Sequence, residues 1–375
     1  MADPGLDPVP VTFVAGHGGV GGSELYLETL LSSLGSGWID EVICLEHGPF
    51  VERLRGHGLD AEVIPTPARL GILPAALELR RALMRRAARV VHANGVKAAL
   101  LCGLATLGTP KRVIWVKHDF SWDGPLTRAV ALGSKQVVTV SPALTAGLGS
   151  RLGRRVHVVP AGIVVPAADP EEGRARLVEL LGCSADDPIV TLVGRLQESK
   201  GQLELLEAAP RILARRPETR FCLVGGRHPH QPDHADVVTR RRRELGLERS
   251  VILAGQRSDA AALISGSDVL VVPSIPDSRG RAREGSPLVA IEALAVGTPV
   301  VGYAHGGIPD AVGEAGRLVT SGDRDELGDA ILEVIESEDA REAMATRGRE
   351  RAATRNSVAA MTTAMKRRYR EAAAA

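Results

Sequence analysis

"PAGIVVPAADPEEG" (residues 160–173), rich in Pro, Gly and small residues, interrupts a pattern that runs up to it and begins again beyond it. Upstream, apolar and β-branched runs follow one another: "VTFVA", "EVICL", "AEVIP", "RVVHA", "RVIWV", "QVVTV" and "VHVVP". Downstream the series is "IVTLVGR", "RFCLVGG", "VILAG", "DVLVVPS", "PVVGY" and "GRLVT". Between the runs lie longer segments of helical periodicity. Strands that read as continuous apolar runs are covered on both faces, which is the signature of parallel sheets joined by crossover helices. The pattern therefore predicts an α/β protein of two doubly wound, Rossmann-like domains with parallel sheets, residues 1–165 and 166–350, followed by a C-terminal helix, 351–375, packing back towards the first domain. Ligands in such folds bind beyond the carboxyl ends of the strands.

The bulk composition narrows the function classes. The 375 residues are 44% apolar and 24% charged, which is the composition of a globular protein. Forty-six Lys and Arg against 45 Asp and Glu give a net charge of +1 and no overall field for nucleic acid. "TRRRRE" (residues 239–244) reads as a solvated helix face. Cys44, Cys102, Cys183 and Cys222 lack metal-ligand spacing and suit a reducing compartment. The opening "MADPGLDPVP" has no basic start or apolar core of a leader, and "AALLCGLATL" (98–107) is too short to span a bilayer. A cytoplasmic protein is expected, with peripheral membrane contact left open.

Three stretches at strand ends carry candidate chemistry. "VTFVA" runs into "GHGGVGG" (16–22) and then "SELYLETLLSSLG", where Ser23 is expected to cap a helix with Glu24 in its first turn. Such a turn brings backbone N–H groups close to an anion or a sugar. Gly16, Gly18 and Gly21 also fit the dinucleotide fingerprint, with Glu46 where a ribose carboxylate would stand; a plain tight turn explains the glycines equally well. In "VGRLQESKGQ" (193–202), Ser199 and Gln202 suggest a capping box that places Lys200 in a first helical turn. Arg195 and Lys200 could then clamp a diphosphate or stand as solvated cations.

The third stretch is "EGSPLVAIE" (284–292), where Glu292 is the single charge from Pro287 to Val296. A carboxylate in an apolar helix needs a partner. With Ser286 as N-cap and Pro287 at the first helical position, Glu292 lies about 7.5 Å along the axis at 1.5 Å per residue. That is close to the span from a nucleotide's diphosphate to its ribose hydroxyls. A ligand would then supply the partner, with Glu284 on the other side of the phosphates; Arg195 or backbone N–H groups are the structural alternative.

"EGSPLVAIE" is an E-x7-E motif. With "VGRLQESKGQ", "GSDVLVVPS", "GTPVVGYAHGGIPD" and the early "GGSE", in this order over about 300 residues, the chain resembles the retaining nucleotide-sugar glycosyltransferases of family 4. The resemblance implies the GT-B fold, two Rossmann-like domains facing across a cleft, the first on the acceptor side and the second on the nucleotide-sugar donor side. It implies that Arg195 and Lys200 neutralise the donor diphosphate, that Glu292 holds the ribose, and that Glu284 holds a hydroxyl of the transferred sugar. Gly285, Ser286, Pro287 and Leu288 would face the phosphates or sugar, and Gly21 and Gly22 would face the donor from the first domain. His118, at the end of "RVIWVKH", would stand beside the sugar, and the chain around Gln256 and Arg257 would read the base. UDP is the base the resemblance favours. His118, Glu284, Arg195 and Lys200 form the expected catalytic set, without a cofactor or a metal.

The function so implied is hexosyl transfer with retention from a nucleotide sugar to an acceptor hydroxyl, in cell-envelope glycan or secondary-metabolite biosynthesis. The acceptor would be a small molecule or lipid-linked, since 3% aromatic content leaves little stacking surface for a long glycan. An NAD(P)-dependent oxidoreductase and a non-catalytic nucleotide-sugar binding protein are the competing readings. The loop "SIPDSRGRAREG" (274–285) adds Arg279, Arg281 and Arg283, which suit an anionic acceptor or a solvated loop. "HPHQPDH" (228–234) offers three histidines and an aspartate, read as a polar loop rather than a metal site.

Overall fold

A computed structural model describes residues 7–66, 71–229, 231–277, 280 and 284–374. The chain forms two compact units, one of residues 1–164 and 355–375, the other of residues 165–354.

The first unit winds β1 (Val11–Ala15), α1 (Gly22–Leu34), β2 (Ile39–Cys44), α2 (Pro49–Gly56), β3 (Ala61–Val63), α3 (Ile72–Met84), β4 (Val90–Asn94), α4 (Val96–Ala105), β5 (Arg112–Lys117), α5 (Pro125–Gly133), β6 (Gln136–Thr139) and β7 (Val156–Val158). The seven strands are parallel in the order β3-β2-β1-β4-β5-β6-β7, so the winding reverses between β1 and β4. Successive side chains of a strand point to opposite faces. Val14, Val91 and Trp115 accordingly meet Leu79 of α3, Leu101 of α4 and Val130 of α5 in one core.

The second unit continues with α6 (Pro170–Leu181), β8 (Ile189–Val193), α7 (Gln202–Arg215), β9 (Arg220–Val224), α8 (His234–Glu244), β10 (Val251–Gly255), α9 (Ala260–Ser265), β11 (Val269–Val272), α10 (Leu288–Val296), β12 (Val300–Tyr303), α11 (Ile308–Val312), β13 (Arg317–Val319), α12 (Arg324–Glu336) and α13 (Glu338–Arg355). Its six parallel strands repeat the first order, β10-β9-β8-β11-β12-β13, with the reversal between β8 and β11. That reversal is where loops diverge and leave room for a ligand.

The last helix, α14 (Val358–Ala374), belongs to the first unit and packs on α1, β4 and β5. Ile163 N–H donates to the Asn356 carbonyl at 2.9 Å, and Asn356 Nδ2 donates to the Ala161 carbonyl at 2.9 Å. Gly162 has no side chain because a Cβ would come within 2.8 Å of Val358 Cα. The far end is fixed by Tyr369, fully buried and hydrogen-bonded to His92 Nδ1 at 2.7 Å, with Phe13 edge-on to its ring. Among the described residues no helix is long and apolar enough to cross a membrane.

Candidate functional site

In the second unit, the carboxyl ends of β8, β11 and β12 bring together part of the expected set. After β8 the chain makes a 3₁₀ turn, Glu198–Lys200, and Gly201 in the left-handed region (φ +69°) precedes α7. The expected capping box is therefore not formed. Gly201 is the N-cap, Lys200 lies in the turn before the helix, and Gln202 donates to the Arg195 carbonyl at 3.0 Å. The reason is a close approach: a Cβ on Gly201 would lie 1.9 Å from the Pro273 carbonyl at the end of β11. Only glycine tolerates both that contact and the positive φ.

Lys200 Nζ reaches Glu284 Oε2 at 2.5 Å, and both are largely shielded. Ser274 Oγ lies 3.5 Å from the same carboxylate oxygen. The Glu284 backbone is held from β12's end, where Gly307 N–H donates to its carbonyl at 2.8 Å and Gly306 (φ +57°) leaves space a Cβ would fill at 2.4 Å. Arg195 is exposed and has no ion pair among the described residues. Lys200 thus has Glu284 as its ion-pair partner.

α10 begins at Leu288, with Pro287 as N-cap in extended conformation (ψ 93°) and no side-chain cap. The expectation of Ser286 as cap and Pro287 as first helical residue is off by one. Pro287 keeps its ring outside the helix while its carbonyl accepts from Ala290 N–H at 3.0 Å and Ile291 N–H at 3.3 Å. The first amides of α10 point outward without intrahelical acceptors. Gly285 and Pro287 are buried, and Ser286 and Leu288 are half-buried.

Glu292, one turn further on, is half-buried, and burial alone raises its carboxyl above the usual carboxylate range. No ion pair or hydrogen bond to its side chain is present among the described residues, so neither Arg195 nor the backbone serves as the structural partner. Gln256 and Arg257 follow β10, near the end of the sheet. Gln256 is exposed, while Arg257 makes a two-pronged contact with Asp259 at 2.8 and 2.8 Å that holds that carboxyl down at about 2.

In the first unit, His118 follows β5 directly. Its Nε2 is 2.7 Å from Asn94 Oδ1 at the end of β4, and Asn94 Nδ2 donates to the Ser23 carbonyl at 3.0 Å. Because the amide faces Ser23 with its N–H₂, Oδ1 faces the imidazole, and Nε2 must carry the proton. Nδ1 is then the acceptor. Burial, seconded by Lys117, pushes His118 down to about 3, and Tyr26 packs against its ring at 4.8 Å. The sequence places the 94–97 loop among the strand ends of the first unit but gives Asn94 no role; the structure shows it tying β4, the residue after β5 and the first turn of α1 together.

The glycine-rich turn differs from expectation in its cap. Gly21 is the N-cap of α1, Gly22 opens the helix, and Ser23 donates to Glu24 at 2.9 Å instead of capping. Burial raises the Glu24 carboxyl, against the pull of Ser23. Glu46 accepts from Gly18 N–H at 3.1 Å and pairs with Lys97 at 2.7 Å. Burial opposes its charge, but these donors outweigh it and hold the carboxyl below the usual range. Glu46 thus braces the turn, which weakens the dinucleotide reading. Just before His118, buried Lys117 pairs with Asp123 at 2.8 Å, and beyond it Trp122 stands 62% exposed with φ +62°, its carbonyl accepting from Thr127 Oγ1 at 2.5 Å.

Arg279, Arg281, Arg283 and His230 lie outside the described residues. His228 pairs through its backbone with Gln231, and His234 opens α8. Among the described residues no group of three or more His, Cys, Asp or Glu could hold a metal ion.

Comparison with known proteins adds the following. Residues 178–351 match the family described as glycosyl transferases group 1, and residues 20–165 match glycosyltransferase family 4. The chain is 30% identical over 309 residues to the MMP alpha-(1->4)-mannosyltransferase of Mycolicibacterium hassiacum, covering 74% of this chain and 69% of that one. It is 34% identical over 197 residues to the D-inositol 3-phosphate glycosyltransferase of Corynebacterium jeikeium, covering 50% of this chain and 45% of that one, so it spans about half the length of that relative. Among solved structures it resembles Anabaena HepE in complex with UDP (TM-score 0.85, 23% identity, 97% of this chain and 100% of that one). It also resembles sucrose-phosphate synthase from Thermosynechococcus elongatus (TM-score 0.78, 22% identity, 97% and 98%). These two likenesses show the GT-B fold.

Proposed function

This chain belongs to glycosyltransferase family 4, and we propose that it transfers a hexosyl group from a nucleotide sugar, UDP-linked by preference, to an acceptor hydroxyl with retention at the anomeric carbon. Glu292 is the observation that carries the reading. A half-buried carboxylate without a partner among the described residues, one turn inside a helix whose free amides can receive phosphate, is costly unless a ligand completes it. Ribose hydroxyls at that distance from a diphosphate are such a ligand. HepE, which shares the fold, was solved with UDP, and this supports the choice of base.

Arg195 and Lys200 neutralise the diphosphate in this scheme. Glu284 orients the Lys200 ammonium while its remaining acceptor capacity meets a sugar hydroxyl. Gly285 to Leu288 line the phosphates, Gly21 and Gly22 lie towards the donor, and the backbone near Gln256 and Arg257 meets the base. The second unit is the donor side and the first the acceptor side. His118, neutral with Nδ1 as acceptor, receives a hydrogen bond from the transferred sugar. The departing diphosphate helps deprotonate the acceptor on the same face of the sugar, and the protein works by positioning and by stabilising the charge that develops. No divalent metal takes part. The acceptor is a small hydroxylated molecule or a lipid-linked one; the inositol phosphate named for one relative places a phosphorylated polyol in the first panel to try.

The test is a panel of UDP- and GDP-sugars scored for donor hydrolysis, with thermal stabilisation by UDP, GDP and NAD in parallel. Stabilisation by a nucleoside diphosphate together with slow release of sugar is expected. Stabilisation by NAD alone would restore the oxidoreductase reading, and nucleotide binding without turnover on any donor or acceptor would favour the non-catalytic one.

A further inference from the structure

Single exposed leucines are ordinary on a protein surface, but grouped ones are not. α4 packs between α3 and α5 on one face of the first sheet. Leu73, Leu77 and Met84 of α3 are 70%, 57% and 49% exposed, and their spacing of four and seven places them on one stripe. α4, "VKAALLCGLA", has no polar face beyond Lys97: half-buried Leu100 and Leu104 lead in helical steps to Leu107, which is 67% exposed. Leu132 of α5 is 58% exposed. Arg80 ties the first two helices together, donating to the carbonyls of Ala105 at 3.0 Å and Leu107 at 2.7 Å.

The charge on this stretch is as one-sided as the whole chain is balanced. Residues 71–135 contain 11 Lys and Arg against 3 Asp and Glu, while the other 310 residues contain 35 against 42. Several of the cations are turned inward or paired, as Lys111, Lys117 and Arg86 are. Arg81 and Arg128 stand exposed beside the apolar stripe without an acidic partner among the described residues. A surface helix normally turns a polar face to water. α3 and α5 instead set exposed leucines beside exposed arginines, Leu77 beside Arg81 and Leu132 beside Arg128, with Glu78 the one acid among them, and α4 between them is apolar apart from Lys97.

We propose that the outer surface of α3, α4 and α5 docks on an anionic lipid bilayer, its leucines entering the headgroup boundary and its arginines meeting the lipid phosphates. Apolar burial plus attraction to anionic lipid is the combination that holds a protein on a membrane without spanning it. The exposed leucines stand on the outer sides of packed helices, with Arg81 and Arg128 exposed beside them. A fluid surface can close around each of them, whereas a rigid protein partner would need a matching recess for each. Nucleic acid would use the arginines and leave the leucines in water.

Co-sedimentation of the full chain with vesicles tests this, using mixed phosphatidylglycerol and phosphatidylcholine against phosphatidylcholine alone. Association with the anionic vesicles is expected, weakening about tenfold or more on raising salt. L77E/L107E should lower it at least about tenfold and R81A/R128A by about tenfold, with thermal melting unchanged because all four side chains are exposed. Absence of anionic-vesicle binding, full binding by L77E/L107E, or binding to soluble heparin but not to vesicles would each overturn the proposal.

Discussion

The two sets of strand ends treat their charges differently. In the first unit Glu46 is held by Lys97 and Gly18, Lys117 by Asp123, and His118 stands uncharged against Asn94. In the second, Glu292 and Arg195 have no partner among the described residues, and Lys200 and Glu284 have each other. The first arrangement fixes geometry before any ligand arrives. The second leaves charge to be completed by one, and so should dominate binding while the first governs the reaction.

The titrations oppose one another as well. His118 has a folded value near 3, below its unfolded value near 6.5, so the unfolded chain binds more protons between the two and His118 destabilises the fold as pH falls through that window. Glu292 has a raised folded value, so the folded chain binds more protons, and stability falls as pH rises above the ordinary carboxylate value towards the raised one.

The largest expected effect would break the comparison on the first side. His118→Ala should lower turnover on the order of 100-fold while UDP affinity, by calorimetry, stays unchanged, because the interaction matters mainly in the transition state. Turnover in the parent should show no inflection near 6.5 from this residue, and a chelator should leave it intact. Unchanged turnover in the variant would reduce His118 to a packed strand-end residue, and magnesium- or manganese-dependent activity would remove the metal-free mechanism.

On the second side, Glu292→Gln should weaken UDP binding by about 1.5–3 kcal/mol, the range for a hydrogen bond to a charged group. Without ligand the same variant should melt no lower than the parent and should lose part of the parent's decline in stability with rising pH. A variant that unfolds, or one with full UDP affinity, would make Glu292 structural. The smallest effect sharpens the comparison: Arg195→Ala and Lys200→Ala together should cost less UDP affinity than the sum of the single losses, by about 0.5 kcal/mol or more, if one diphosphate couples them. Strict additivity would show that they do not share a ligand.

Much of this was legible in residue order. Continuous β-branched runs separated by helical segments announced two parallel sheets, because a strand covered on both faces has no polar side to display. Glu292 could be singled out because a lone charge in an apolar helix stands out in one dimension, as does a histidine ending a strand. The caps were misread at Ser23, Ser199 and Ser286, since serine is a statistically good cap and the residues that displaced it act through backbone geometry. Gly201 adopts positive φ against a carbonyl from β11, and Pro287 keeps an extended ψ outside α10.

The sequence by itself determined the number and kind of elements, the repeated winding, the family and the residues worth testing, all of which depend on local pattern. The tertiary structure alone decided how those residues are used. Lys200 meets Glu284 across 84 positions, Asn94 sets the tautomer of His118 across 24, and α3, α4 and α5 come side by side over one core. Pairing, protonation and surface composition depend on distances in space. Residue order specifies those only through the packing of the whole unit.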